Sequence, residues 1–360
     1  MVKDSIDVPK EWEIAAGLIQ QEVKTCLVMG KGGSGKTTLC KYLVQKWTES
    51  RKCVGYVDSD VGQSTIGPPA TVGLKVFHNT ETILDQAVPT AIHFVGNISP
   101  PGFLLQTLAA VKAMTEESYR QGAEVTIIDT TGFIDGPVAR VLKYHKVEML
   151  HPQYIIALQA ENETEHLLKG YEKSGQKILR LPCSARASIR SQEERRRYRQ
   201  EKFKEHFKIA EKVTCSLSKL VFPSCIIGTG QKISRDKLPN NDSLCGLENM
   251  YFEKCGTELL VLSDHFGCSL PIAEIKMFFG VSSIIHIATH ELKNLLAGLS
   301  DKNNNTLGIG TIIDLNISQN QISFFTPVKN CDALSIVHFG ALKIEHDGRE
   351  SEKLRLIRYL

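Results

Sequence analysis

The sequence predicts an α/β protein, a parallel sheet with helices on both faces, followed by a smaller β-rich region. Three observations carry this expectation. Short apolar runs alternate with helix-length segments through the first half of the 360-residue chain, the pattern of parallel strands buried on both sides. A glycine-rich turn joins the first of these strands to the helix that follows it. Beyond about residue 212 the pattern changes to strand-like runs separated by polar turns.

Taken in order, strands are expected at 25–29, 53–57, 91–95, 124–128, 154–158 and 177–181, with helices at about 35–47 and 102–122. Ligands in such sheets sit at the carboxyl ends of the strands. A highly charged helix is expected at about 186–206. Later, 212–222, 257–263, 308–317 and 321–325 read as strands, with turns at 301–305 and 318–320 and one helix near 285–299. The expected domains are 1–211 and 212–360.

Composition excludes several classes. The length suits two domains, and 42% hydrophobic with 23% charged residues is average for a globular chain. A net charge of +3 does not mark the whole molecule as a nucleic-acid binder, so any such function must lie in a local patch. Ten cysteines include no C-x-x-C pair, which signals neither a zinc site nor a redox dithiol. Several lie in apolar runs, where Cys acts as a small core residue, and a reducing cytoplasm is expected. The N-terminus lacks a signal-peptide core. The run 277–289 is too short and polar to span a bilayer, and the terminal KLRLIRYL is too short for an amphipathic membrane helix. No membrane association is expected.

Gly30-Lys31-Gly32-Gly33-Ser34-Gly35-Lys36-Thr37, followed by Thr38, fits G-x-x-x-x-G-K-[ST] between a strand and a helix. The glycines let successive N–H groups curl inward onto phosphate oxygens, and the helix N-terminus adds partial positive charge. Lys36 is expected to reach the β- and γ-phosphates of ATP and Thr37 to ligate Mg²⁺. The fold expected is therefore that of a P-loop NTPase.

Carboxylates follow two other strands. Asp58 and Asp60, two apart on extended chain, point the same way. They can hold Mg²⁺ or take a proton from an attacking hydroxyl. Asp129 ends the apolar strand VTII as a Walker B-type metal carboxylate. Thr130 and Thr131 bring hydroxyls near the reacting phosphate, and Gly132 permits close backbone approach. Phe133 suits either packing on a sugar or base, or ordinary core packing.

Between Arg180 and Lys212 stand eleven Lys/Arg against five Asp/Glu. Arg195 and Arg199 are i,i+4 neighbours, able to present two guanidiniums to a triphosphate. A solvated helix laced by Glu–Arg pairs is the competing reading.

The phosphate loop, DSDVGQSTIGPPATVGL at 58–74, DTTGF at 129–133 and the RS-x-x-x-R-R-x-x-R-x-x-x-F spacing from Arg190 together resemble the polynucleotide 5′-hydroxyl kinases of RNA processing. The resemblance is closest over residues 10–210. It extends less specifically to the β-rich tail, which is similar to the small C-terminal domain of archaeal-type members. It implies a kinase domain over 1–211 whose arginine lid, about 183–208, closes over ATP. It further implies that Asp60 is the base for the 5′-hydroxyl of RNA or DNA, with Asp58 supporting the metal. Gln63 would help hold Mg²⁺, phosphates or substrate, and Thr130 and Thr131 would clasp the terminal nucleotide beside Gly132 and Phe133. Arg190, Arg195 and Arg199 would serve ATP and the migrating phosphoryl group. The larger eukaryotic members carry an extra N-terminal β domain ahead of this loop, so binding to their complexes is not implied. The run 31–37 also matches the K-G-G-x-G-K-[ST] loop of the dimeric partitioning and division-site ATPases, which leaves a switch ATPase as the alternative. A small-molecule kinase is a third reading, less suited to the clasp and the basic lid.

Overall fold

The computed structural model describes residues 7–20, 22–50, 52–78, 88–223, 226–234, 250–263 and 272–353. Cys225, Cys245 and Cys268, and the terminal stretch from residue 354, lie outside them. The chain divides into two compact units, 1–202 and 203–360.

The first unit runs α1 (Lys10–Ile19), β1 (Thr25–Gly30), α2 (Lys36–Glu49), β2 (Val54–Ser59), β3 (Thr71–Phe77), β4 (Ala91–Phe94), α3 (Leu104–Arg120), β5 (Val125–Thr130), α4 (Gly136–Leu150), β6 (Tyr154–Leu158), α5 (Glu165–Lys173) and β7 (Lys177–Leu181). Helix α6 (Gln192–Phe207) starts in this unit and crosses the division. The sheet order is β4-β3-β2-β5-β1-β6-β7. Strands β2, β5, β1, β6 and β7 are mutually parallel, so their carboxyl ends share one edge. The register sets Val28 and Asp58 beside Asp129.

The sheet departs from the expectation in one respect. Strand β3 was not foreseen and pairs antiparallel with both β2 and β4. Its sequence, TVGLKVF, follows the Gly-Pro-Pro turn directly and continues a segment read for its motif rather than its periodicity. The result is a mixed sheet with a parallel centre.

Both faces are covered because every central strand is apolar on both sides. Cys26 and Val28, Val54 and Tyr56, Val125 and Ile127, and Ile156 and Leu158 pack against Trp12, Ala16, Leu39, Leu43 and Trp47 of α1 and α2. The intervening residues meet the other helices, as where Ser118 of α3 bonds Thr126 of β5 at 2.9 Å. The Trp12 indole, fully buried, donates to Pro182 O at 2.9 Å and ties α1 to the chain beyond β7.

The second unit holds β8 (Glu211–Ser216), β9 (Gln231–Lys232), β10 (Tyr251–Cys255), β11 (Glu258–Ser263), α7 (Ile272–Phe279), β12 (Ser283–Ala288), β13 (Leu295–Ser300), β14 (Thr306–Asn316), β15 (Gln321–Thr326), β16 (Ile336–Ile344) and β17 (Glu350–Lys353). They form sheets of order β12-β11-β10-β9 and β17-β16-β13-β14-β15-β8. Turns follow β13 and β14 at 301–305 and 317–320, as expected. The helix expected near 285–299 is absent. That segment forms β12, a short 3-10 turn and β13, since Ile284, Ile285 and Ile287 favour a pleated strand. A run of this length does not separate helix from strand by periodicity alone. Among the described residues no helix is long and apolar enough to cross a membrane.

Candidate active site

At the carboxyl edge of the parallel strands lies a cleft of about 740 Å³. It is lined by most of the residues singled out from the sequence, excepting Gly30, Ser34, Asp58, Asp129 and Thr130.

The floor is the turn between β1 and α2. Gly33 and Gly35 have φ of 85° and 91°, left-handed backbone that side chains disfavour. No side chain caps the N-terminus of α2, so its first-turn N–H groups remain for an anion. The buried Lys36 donates to Lys31 O at 2.8 Å, folding over its own loop. The Ser34 hydroxyl is buried without a hydrogen-bond partner.

Behind this floor stands Asp129, 1% exposed. Its Oδ2 accepts from Thr37 Oγ1 at 2.6 Å and from Tyr56 OH at 3.1 Å. Its Oδ1 is buried with no hydrogen-bond partner. Burial pushes its carboxyl above the ordinary range, while the Lys36 ammonium and the Thr37 hydroxyl pull it back. An orphaned carboxylate oxygen next to a threonine hydroxyl is a donor set that fits a hard cation.

The two aspartates after β2 separate in role. Asp60 lines the cleft, and its Oδ1 accepts the N–H groups of Gly62 and Gln63 at 3.1 and 3.0 Å. Asp58 is buried and turned onto its own loop. Its Oδ1 accepts from Asp60 N at 3.1 Å, and its Oδ2 accepts from the N–H groups of Thr65 and Ile66. Burial, with repulsion from Asp129 and Asp60, raises its carboxyl above the usual range. Both Asp58 oxygens accept backbone donors of its own loop, and Asp58 does not line the cleft.

Thr130 also lies behind the cleft. It is fully buried, its hydroxyl donating to Val28 O at 2.7 Å and accepting from Lys143 Nζ at 2.8 Å, so it does not reach the cleft. Thr131, Gly132 and Phe133 do. A Cβ on Gly132 would strike the backbone of Gly32, and this bare contact lets the DTTG turn close onto the phosphate loop.

Residues 184–199 form the opposite wall. Asp7 anchors the segment through Ser184 Oγ at 2.9 Å and Ala185 N at 3.0 Å. Residues 188 and 189 then pass so near Gly33 that a Cβ there would lie 2.8 Å from Ser188 O. Helix α6 starts with a reciprocal capping box, Ser191 N donating to Glu194 Oε2 and Glu194 N to Ser191 Oγ. Its Arg195 and Arg199 both line the cleft, and Arg195 Nη2 approaches Gly32.

Gln63 meets this wall: its Nε2 donates to Arg195 O, and its Oε1 accepts from Arg190 Nη1, each at 3.3 Å. Arg190 also stacks over the Tyr198 ring at 4.9 Å, and the Tyr198 hydroxyl donates to Ser64 O at 2.8 Å. These contacts tie the start of α6 to the loop that carries Asp60.

Two residues escaped sequence reasoning altogether. Lys143 and Lys146 of α4 are 0% exposed. Lys143 Nζ donates to Thr130 Oγ1 and Thr131 O, both at 2.8 Å. Lys146 Nζ donates to Ser59 Oγ at 2.9 Å, and Ser59 Oγ donates to Asp129 O at 2.7 Å. Burial lowers the Lys143 ammonium well below its usual range and Lys146 to about 8, the latter against the pull of Asp60, Asp129 and Asp58. The readable signal was the helical stripe Ala139, Leu142, Lys143, Lys146, Val147, Leu150, which places two lysines on an apolar face.

A family model for the mRNA cleavage and polyadenylation factor CLP1 P-loop matches residues 30–209. The polyribonucleotide 5′-hydroxyl-kinase of Pyrococcus horikoshii is 30% identical over 346 residues, covering 96% of this chain and 93% of that protein. The one from Methanocaldococcus jannaschii is 29% identical, covering 96% and 94%. The CLP1 homolog of Drosophila yakuba is 30% identical over a shorter span, 50% of this chain and 44% of that protein. The solved structure of the wild-type Clp1p–Pcf11p complex has a chain that superposes with a TM-score of 0.60 at 12% identity, covering 93% of this chain and 79% of that one. This last likeness supports the fold.

Proposed function

The chain belongs to the CLP1 P-loop family, and on that premise we propose that it is an ATP-dependent polynucleotide 5′-hydroxyl kinase acting on RNA. The carrying observation is one cleft in which Asp60, Arg195 and Arg199 stand opposite the phosphate-binding loop. The switch-ATPase alternative is not supported, because the relatives that span nearly the whole chain are named 5′-hydroxyl kinases. Lys31, which suggested it, lines the chain's own cleft.

In this reading, glycine N–H groups and Lys36 bind the triphosphate, Lys36 exchanging Lys31 O for phosphate oxygens. Thr37 and Asp129 are the residues that would hold Mg²⁺, a fit supported by the orphaned Asp129 Oδ1. Bound there, Mg²⁺ would supply charge neutralisation to the triphosphate. Asp60 accepts the proton of the 5′-hydroxyl as its oxygen bonds to the γ-phosphorus and the bond to ADP breaks. Arg195 and Arg199 neutralise charge on the migrating group. Arg190 and Gln63 steady the closed lid, and Thr131, Gly132 and Phe133 form the acceptor side. The kinase domain is assigned to residues 1–211, and a cytoplasmic setting belongs to the same proposal.

The test uses γ-labelled ATP, Mg²⁺ and short 5′-hydroxyl RNA, with the DNA of equal sequence as comparator. Label appears on the RNA end with the unaltered protein. Asp60→Asn loses transfer while still binding ATP, and Lys36→Ala loses both. ATP hydrolysis without label on the oligonucleotide sinks the reading, and transfer by Asp60→Asn removes Asp60 as the base.

A further inference from the structure

Burying an unneeded lysine is unfavourable, because its ammonium leaves water for a low-dielectric interior. Helix α4 does this twice, at positions of its apolar stripe where Leu or Met would pack without that penalty. Both ammoniums end on backbone and hydroxyl groups at the carboxyl tips of β2 and β5, immediately behind the cleft.

We propose that Lys143 and Lys146 are positioning residues for phosphoryl transfer, holding the Asp129–Gly132 turn and balancing from within the carboxylates of the site. The inference rests on the kinase reading above. Lys143 bridges the Thr130 hydroxyl and the Thr131 carbonyl, fixing the turn whose Gly132 abuts Gly32. The same Thr130 hydroxyl reaches Val28 O, so one ammonium joins the ends of β5 and β1. Lys146 acts through Ser59, the residue between Asp58 and Asp60, whose hydroxyl continues to Asp129 O. Each lysine therefore stands one or two hydrogen bonds from the backbone that aims Asp60 or Asp129.

The charges match as well. Asp58, Asp60 and Asp129 gather at this edge, and Lys36 is the cation on the cleft side of the buried set. The cleft cations Lys31, Arg195 and Arg199 face the triphosphate, whereas Lys146 stands behind the carboxylates and reaches Asp129 O through the Ser59 hydroxyl. Fixed charge of this kind acts without reorganising during the reaction. A purely structural role would be served as well by a neutral, equally bulky side chain.

The experiment replaces each lysine by the unbranched, neutral methionine in the full chain, Lys143→Met and Lys146→Met. Transfer to 5′-hydroxyl RNA is measured with KM and kcat separated, beside a thermal melt. Expected is a fall in kcat of roughly 100-fold, with KM for ATP and RNA within about threefold and a melting temperature equal to or above that of the parent. Ser59→Ala, which keeps Lys146 but removes its link to Asp129, should lose kcat to an intermediate degree, and it serves alone if a methionine variant fails to fold. Unchanged kcat in the methionine variants, or in Ser59→Ala where that variant serves alone, overturns the inference. So does a loss of kcat matched by a lowered melting temperature. Absence of transfer by the parent protein is a separate outcome, which refutes the kinase reading itself and this inference with it.

Discussion

At the scale of single residues, the site depends on atoms that are missing as much as on those present. Gly132 and Gly32 meet backbone to backbone, with no room for a methyl group. Gly132→Ala is therefore expected to push the DTTG turn off the phosphate loop. ATP binding, followed by titration, should weaken by tenfold or more, at least about 1.4 kcal/mol on the general scale of overpacking; binding unchanged would show that the two turns separate freely. Asp58 and Asp60 make the complementary point. Two identical side chains two residues apart were equivalent in the sequence, yet one is consumed by the N–H groups of residues 60, 65 and 66 while the other lines the cleft.

Among the elements, the charged helix α6 was the most ambiguous from composition. Glu–Arg pairing was expected to compete with a role in the site, and Arg197 does pair with Glu193 at 3.8 Å on the exposed side. Its Arg195, Tyr198 and Arg199 nonetheless line the cleft. The latch between α6 and the loop after β2 is polar and small, so it suits opening and closing. Tyr198→Phe removes the hydroxyl bonded to Ser64 O, worth about 1 kcal/mol. A several-fold rise in the KM for ATP with an unchanged melting temperature is expected in steady-state assays, and an unaltered KM would mean that this contact does not hold the lid. Helix α4 carries no motif, and its two buried lysines escaped the sequence reading.

For the whole molecule, the first unit is organised around a sheet apolar on both sides, and α1 closes one face. Trp12 is fully buried there and bonded to Pro182 O, 170 residues away in sequence. Trp12→Ala should lower unfolding stability by about 3–5 kcal/mol, measured by denaturant titration. A loss under 1 kcal/mol would place α1 outside the cooperative core. The β-rich character of the second unit was visible from turn residues at 301–305 and 318–320. The run 285–299 was misread because a short apolar segment satisfies helix and strand alike until its neighbours are known.

What the sequence determined by itself was the phosphate-binding loop at 30–38, the parallel strands around it and the carboxylate-bearing strand ends. Each of these is encoded locally, by spacing and by the side-chain requirements of a turn. What only the tertiary structure decided was the direction each polar group faces. It turned Asp58 and Thr130 inward, bonded Gln63 to Arg190 and Arg195, and set Lys143 and Lys146 behind the site. Such choices depend on hydrogen-bond partners far apart in the chain. Apart from the α4 stripe that sets two lysines on an apolar face, no local pattern specifies them, and the first loop to be recognised acquires its opposing groups only when the strands align.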